Sequence, residues 1–163
     1  MAKIKSLEDF LIEELKDLYS AEKQITKALP KMAKASTSDE LREVFQNHLQ
    51  ETEGQVLRLE EVSNILGKNL SGKKCKAMAG LIEEGKEILE EDMDENVRDA
   101  ALIAAAQKVE HYEMASYGCA RTYARLLGMV NIEKLLQETL DEEGNANKLL
   151  TEISEDLNVE AIQ

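Results

Sequence analysis

In the stretch "AQKVEHYEMASYG", residues 106–118, Glu110 and Glu113 stand where the 3.6-residue rhythm of an amphipathic helix calls for apolar side chains. Side chains three apart lie on adjacent turns of one face, so two carboxylates at this spacing can reach a common centre. Carboxylate oxygens together with an imidazole nitrogen are ordinary ligands for iron or manganese. His48 and Glu51 repeat the spacing in "NHLQETEGQ", and Glu22 and Glu143 each interrupt a further apolar stripe.

On a helical wheel the first stripe is Leu11, Leu15, Leu18, Glu22, Ile25 and Leu29. The second is Leu41, Val44, His48, Glu51, Gln55, Leu59 and Val62. The third is Ile103, Ala106, Glu110, Glu113, Met114, Tyr117 and Ala124, and the fourth Ile132, Leu136, Leu140, Glu143, Asn147 and Leu150. Glu22, Glu51, Glu110 and Glu143 each fall near the midpoint of their helix. A midpoint keeps its level when a helix is reversed, so all four should meet in one cross-section.

An ionised carboxylate buried without a partner costs several kcal/mol even after relaxation. A whole domain is stable by only about 5–15 kcal/mol. Internal cations are scarce: Arg121 is on the third stripe but about 12 Å beyond Glu113 along the axis, and the lysines face outward. Bound metal resolves the conflict. Taken singly, any one of these acids is as readily a rim residue or a protonated acid, and His48 alone a satisfied core histidine. His111 points about 100° off the stripe and is not expected to be a ligand. Tyr19, Tyr112 and Tyr117 read as packing residues, Tyr19 and Tyr117 being near enough to donate to a ligand.

The elements that must position these groups are helices. The first is predicted from Ser6 to about Ala35, with Pro30 kinking it or ending it early. Thr37 and Glu40 form a capping box for the second, which Gly67 stops. "KNLSGK" is a polar loop, followed by a shorter helix from about Lys73 to Glu91. A third long helix runs from Asp94–Asn96 to Gly128, and the last, capped by Asn131, reaches about Leu157 before a fraying tail "NVEAIQ". Four rods of about 40–48 Å, each with one apolar stripe, bury it as a four-helix bundle. The short helix makes the second-to-third connection a long crossover, so those two rods run parallel. The reading is all-α, one domain over 1–163 with its core at about 6–157.

The 163 residues carry a formal net charge of −13, which argues against nucleic acid or an anionic membrane as partner. The longest apolar run, "AALIAAA", is too short to span a bilayer, and no signal-peptide pattern is read at the start. Cys75 and Cys119 are too few for a disulfide framework or a zinc motif, so reduced thiols in the cytoplasm are the default.

The segments "DLYSAEKQ", "HLQETEGQ", "GLIEEGKEI", "RDAALIAAAQKVEHYEMASYG" and "LLQETLDEE" resemble the YciF-like stress-associated family of the ferritin-like superfamily, over nearly the whole chain. The resemblance implies a ferritin-like bundle with an additional helix, commonly a homodimer, in a bacterial cytoplasm, with rubrerythrin-type di-iron proteins among its relatives. It implies metal ligation by Glu22, by Glu110 and Glu113 as an ExxE pair, and by Glu51 and Glu143. The chain departs from that pattern after Glu51 and Glu143, where Gln55 and Asn147 stand in place of nitrogen ligands and could offer only weaker carbonyl oxygens. His48, one turn before Glu51, is a candidate to replace the missing nitrogen ligand, an assignment the sequence leaves open.

Two functions follow. One is a dinuclear carboxylate centre, with two iron ions or manganese, acting on peroxide or O₂ and fed by an external electron donor, because the chain has no Cys-rich donor site. The other is a non-enzymatic dimeric scaffold with a vestigial or structural metal site. Neither a catalytic residue nor a reaction is assigned by the sequence.

Overall fold

Ser6 starts the first helix by accepting a hydrogen bond from the Asp9 N–H at 3.0 Å, and α1 runs over Leu7–Ala35. This computed structural model describes residues 4–162. Pro30 does not end α1; it is exposed on the outer side, while Leu29 and Ala33 on either flank are buried in the core. The second helix, α2, covers Asp39–Leu66 and is capped by Ser38, whose Oγ accepts from the Leu41 N–H, rather than by Thr37. The N–H groups of Thr37 and Ser38 go instead to the side chain of Asp99, at 2.9 and 2.7 Å. Gly67, at φ +60, closes α2 in the left-handed conformation that glycine adopts without strain.

The crossover helix α3 covers Lys76–Glu90, starting three residues later than expected because Cys75 Sγ takes the cap position and accepts from Met78 N–H. α4 spans Glu95–Leu126 behind an Asp94 cap, as expected. α5 spans Val130–Glu160 and is not capped by Asn131: its cap position lies two residues earlier, at Met129, with no side-chain cap. Asn158–Glu160 are helical rather than frayed, and Gln163 lies outside the described residues.

The four long helices close a ring in the order α1, α2, α5, α4, and α3 lies over the seam between α1 and α4. Apolar residues gather in two clusters. One joins Ile25, Leu29, Leu41, Phe45, Leu102, Ile103, Leu150 and Ile153. The other joins Leu11, Leu15, Leu59, Val62, Tyr117, Ala124, Ile132 and Leu136. The early residues of α2 and α4 share one cluster and their late residues the other, so these diagonal helices run parallel, as the long crossover requires. No helix among the described residues is long and apolar enough to cross a membrane.

Asp99 is 3% exposed and satisfies two N–H groups at the start of α2. Replacing Asp99 with Ala should cost roughly 2–4 kcal/mol, since two backbone donors lose a charged acceptor. Urea unfolding should show a lower midpoint at unchanged slope.

Candidate metal centre

Between the two apolar clusters lies a polar layer. Glu22, His48, Thr52, Gln55, Glu110, Glu113, Thr139 and Glu143 are all buried. α1 contributes Glu22, α2 His48 and Gln55, α4 Glu110 and Glu113, and α5 Glu143, so each long helix brings at least one donor to a common level. Donor atoms of His48, Glu110, Glu113 and Glu143 all lie within 4.8 Å of one another, close enough to hold one metal ion. His48 Nε2 is 3.2 Å from a Glu110 oxygen and 3.9 Å from Glu143. Glu22 is wholly buried alongside, near enough to Glu113 that each carboxyl perturbs the other.

The donor chemistry fits a metal by a direct test: which polar atoms are buried and lack a partner. Ten such side-chain atoms occur among the described residues, and all but Arg98 Nε and Arg121 Nε belong to this layer. They are Glu22 Oε2, both nitrogens of His48, Gln55 Oε1, Glu110 Oε2, both oxygens of Glu113 and Glu143 Oε2. Native interiors leave few polar groups unsatisfied, and a cluster of them facing inward has the composition of an oxygen-rich site with one nitrogen.

Electrostatics point the same way. Burial first, and then the Glu143 carboxyl, push Glu22 up to about 8, although Tyr117 donates a hydrogen bond that opposes the rise. Burial, then Glu143, holds Glu110 well above the usual carboxylate range. Burial, then Glu22 and Glu143, does the same for Glu113. Tyr117 is itself fully buried, and its phenol is raised by burial and by the neighbouring acids. In the absence of a cation these groups hold protons; a cation would replace them.

Other groups orient the donors. The Tyr117 hydroxyl donates to Glu22, and the Gln55 amide donates to Glu143 and, at 3.0 Å, to Glu142. Arg58 closes that side, with its guanidinium 2.8 Å from one Glu142 oxygen and 3.3 Å from Glu138, and donating to Thr139 at 2.7 Å. Arg58 and Glu142 were not singled out from the sequence, although Arg58 is one turn from Gln55 and Glu142 adjoins Glu143. Tyr112, read as packing, donates to Asp17 at 2.6 Å and lies 3.1 Å from Cys75 Sγ, away from the polar layer.

Three expected participants are placed elsewhere. Glu51 has a half-exposed side chain and lies outside the quartet, 3.5 Å from His48 Nδ1, because Thr52 takes the buried position at that level. The two make no hydrogen bond, so Glu51 is a carboxylate at the edge of the layer and Nδ1 stays unpartnered. Tyr19 donates outward to Glu60 at 2.9 Å, with Lys23 over its ring. Asn147 is half-buried and accepts from Gln107 at 3.3 Å, while Ala146 takes the inward position beside Glu143. His111 is exposed and its Nδ1 meets the Gln107 carbonyl, as its wheel position implied.

Comparison with known proteins gives a consistent picture. The model of a domain of unknown function, DUF892, matches residues 6–163. The curated Protein YciF of Escherichia coli (strain K12) is 50% identical over 155 residues, covering 93% of this chain and 92% of YciF. The crystal structure of the E. coli stress protein YciF superposes with a TM-score of 0.92 at 48% identity, over 94% of this chain and 98% of that one. YcfI from Rhodopseudomonas palustris follows at 0.89 and 45%, over 91% and 95%. A Xanthomonas campestris protein at 20% identity and TM-score 0.76 covers 94% of each chain and shares the fold alone.

The raised carboxyls fix the sign of a pH effect. A group held at about 8 in the fold, against 4.5 as an ordinary glutamate, binds its proton more tightly folded than unfolded. That stability is full below the unfolded value and is lost as pH rises through the folded one. The metal-free protein should therefore melt at a lower temperature at pH 8 than at pH 5. Glu113→Gln should flatten this slope; a melting temperature that rises over the same interval would contradict the protonated layer.

Proposed function

The chain belongs to the DUF892 family, in common with its YciF relatives, and from that membership and the buried donor set we propose a stress-associated protein with a dinuclear iron or manganese centre acting on peroxide or O₂. The observation that carries the reading is the eight buried, unpartnered donor atoms in one layer. His48, Glu110, Glu113, Glu143 and Glu22 would hold the ions. Four buried carboxylates would match the charge of two divalent cations, and Glu51 lies outside the layer at its half-exposed position. Bound iron or manganese would supply the electrons that an oxygen species takes up.

The chain's own residues would do the rest. Apolar clusters above and below the layer exclude water, which strengthens every charge interaction within it. Tyr117 donates its hydroxyl proton in a hydrogen bond to Glu22 Oε1 and keeps that carboxylate turned inward. Gln55 orients Glu143, and the Arg58–Glu142 pair anchors Gln55. Cys75 and Cys119 are both free thiols, one buried and one exposed, so electrons would come from an external donor. Homodimer formation and a cytoplasmic location belong to the same reading, carried by the resemblance to the family.

The scaffold alternative draws on α3, whose Leu81, Ile82, Ile88 and Leu89 are only half-buried and could join a partner. Anaerobic titration with Fe(II) separates the two readings. The wild type should take up about two ions per chain, the usual load of a bundle of this ligand type, and then consume hydrogen peroxide. Glu113→Gln, which alters a buried candidate ligand, should weaken metal binding at least about tenfold, whereas Glu51→Gln at the half-exposed edge should change it little. A metal-free preparation that cannot be reloaded would defeat the centre. Metal uptake without peroxide turnover, and a phenotype indifferent to Glu113→Ala, would favour the scaffold.

A further inference from the structure

A cavity of about 120 Å³ opens between α1, α3 and α4 and ends at the polar layer. Its walls are almost wholly apolar, from side chains such as Ile25, Leu29, Ile82 and Leu89. Its inner end is formed by His48 and Glu110, both buried, and both with unpartnered polar atoms. Its outer rim carries Lys27 and Lys31 of α1 and Lys86 of α3.

Small residues create this space. Ala28, Ala105, Ala106 and Gly85 all line it. Gly85 stands between Ile82 and Leu89 on the inward face of α3, where an apolar side chain would complete the packing. A Cβ built there meets no atom within 4 Å. Glycine inside a helix costs about 1 kcal/mol relative to alanine, and no steric contact demands it at this position. The vacancy beside Gly85 is open space that leads to the candidate ligands.

The rim adds a charge preference. Lys86 pairs with Glu83 and Glu90 on its own helix. Lys27 and Lys31 are exposed and form no ion pair among the described residues. They lie four apart, on one face, in a protein of net charge −13. The slot runs from Gln24 to Met32 along α1, which is about 12 Å at 1.5 Å per residue. Hydrogen peroxide would need neither an apolar wall of that length nor a cationic rim.

We propose that the slot binds a linear aliphatic carboxylate, with its head group on Lys27 and Lys31 and its chain directed at the His48–Glu110 corner. Such amphipathic acids are then the substrate class of the centre, a step that rests on the metal reading above, whereas binding in the slot does not. A second copy of the protein would lay a broad face over α3. A narrow cleft that ends on two unsatisfied polar side chains suits a single chain instead.

Calorimetric titration of decanoate, hexanoate, acetate and methyl decanoate into metal-free and metal-loaded protein tests this directly. Affinity should rise with chain length by roughly fourfold per buried methylene. Methyl decanoate and the Lys27→Ala/Lys31→Ala variant should each lose roughly two- to fivefold, as expected for an exposed ion pair. Gly85→Leu should fill the slot and abolish decanoate binding, with metal content unchanged. Acetate binding as well as decanoate, or decanoate binding unaffected by Gly85→Leu, would overturn the proposal, as would indifference to loss of both lysines. So would absence of decanoate binding to the wild type, including the case where sedimentation shows a dimer that Gly85→Leu dissociates. Metal analysis of the same samples separates the two readings: decanoate bound without metal removes the centre and keeps the slot, and metal bound without decanoate does the reverse.

Discussion

Everything in this molecule is arranged around the confinement of Glu110, Glu113 and Glu143 about one imidazole, with Glu22 buried beside Glu113, at mid-height in the bundle. Each carboxyl has lost its hydration and faces others of the same sign, which explains why burial leads the upward shift of Glu22, Glu110 and Glu113. A cation would take the place of the protons that the raised carboxyls of Glu22, Glu110 and Glu113 favour. Splaying the acids toward water is opposed by the two apolar clusters, which bind the helices together on either side. The core is divided in two, and the division is the site.

Holding the acids near one another is not sufficient, because a glutamate side chain loses up to about 2 kcal/mol of rotamer freedom when fixed. Partners from adjacent helices share that cost. Tyr117 on α4 steadies Glu22 on α1, and Gln55 on α2 steadies Glu143 on α5. Glu142 lies one residue along from Glu143 and is anchored by Arg58, which keeps it below the usual carboxylate range despite the opposing effect of burial. The negative charge of Glu142 is thus neutralised locally and does not add to the layer. α2 contributes an imidazole and an amide at this level, while its acid, Glu51, stays half-exposed beside His48.

The helices, the parallel α2 and α4, and the level of the acids were legible from the sequence, because apolar period and chain length determine them. Glu22, Glu110, Glu113, Glu143 and His48 were all assigned to the inside, and all are buried. Errors of one residue had a common cause. A wheel drawn at 3.6 residues per turn placed Leu140 and Asn147 on the inner face of α5. The buried residues are Ile132, Leu136, Thr139, Glu143, Ala146, Leu150 and Ile153, which alternate steps of three and four as in a helix packed at a shallow angle. The edge of a stripe depends on neighbours, and Glu51 and Tyr19 stand at such edges. Long-range partners left no local signal: Asp99 determines how α2 begins from 61 residues away in the chain.

The crossover also explains why access would lie where it does. Parallel α2 and α4 oblige the chain to return the length of the bundle between them, and α3 makes that return over the α1–α4 seam. His48 and Glu110 lie at the inner end of this seam. A return segment with a full apolar face would have sealed it. α3 instead buries only Met78 completely and carries Gly80 and Gly85, at both of which an added Cβ would meet open space. Alanine at either position would strengthen the helix without a clash, so stability alone does not account for the glycines. What Gly85 provides is volume, in the cavity that His48 and Glu110 also line.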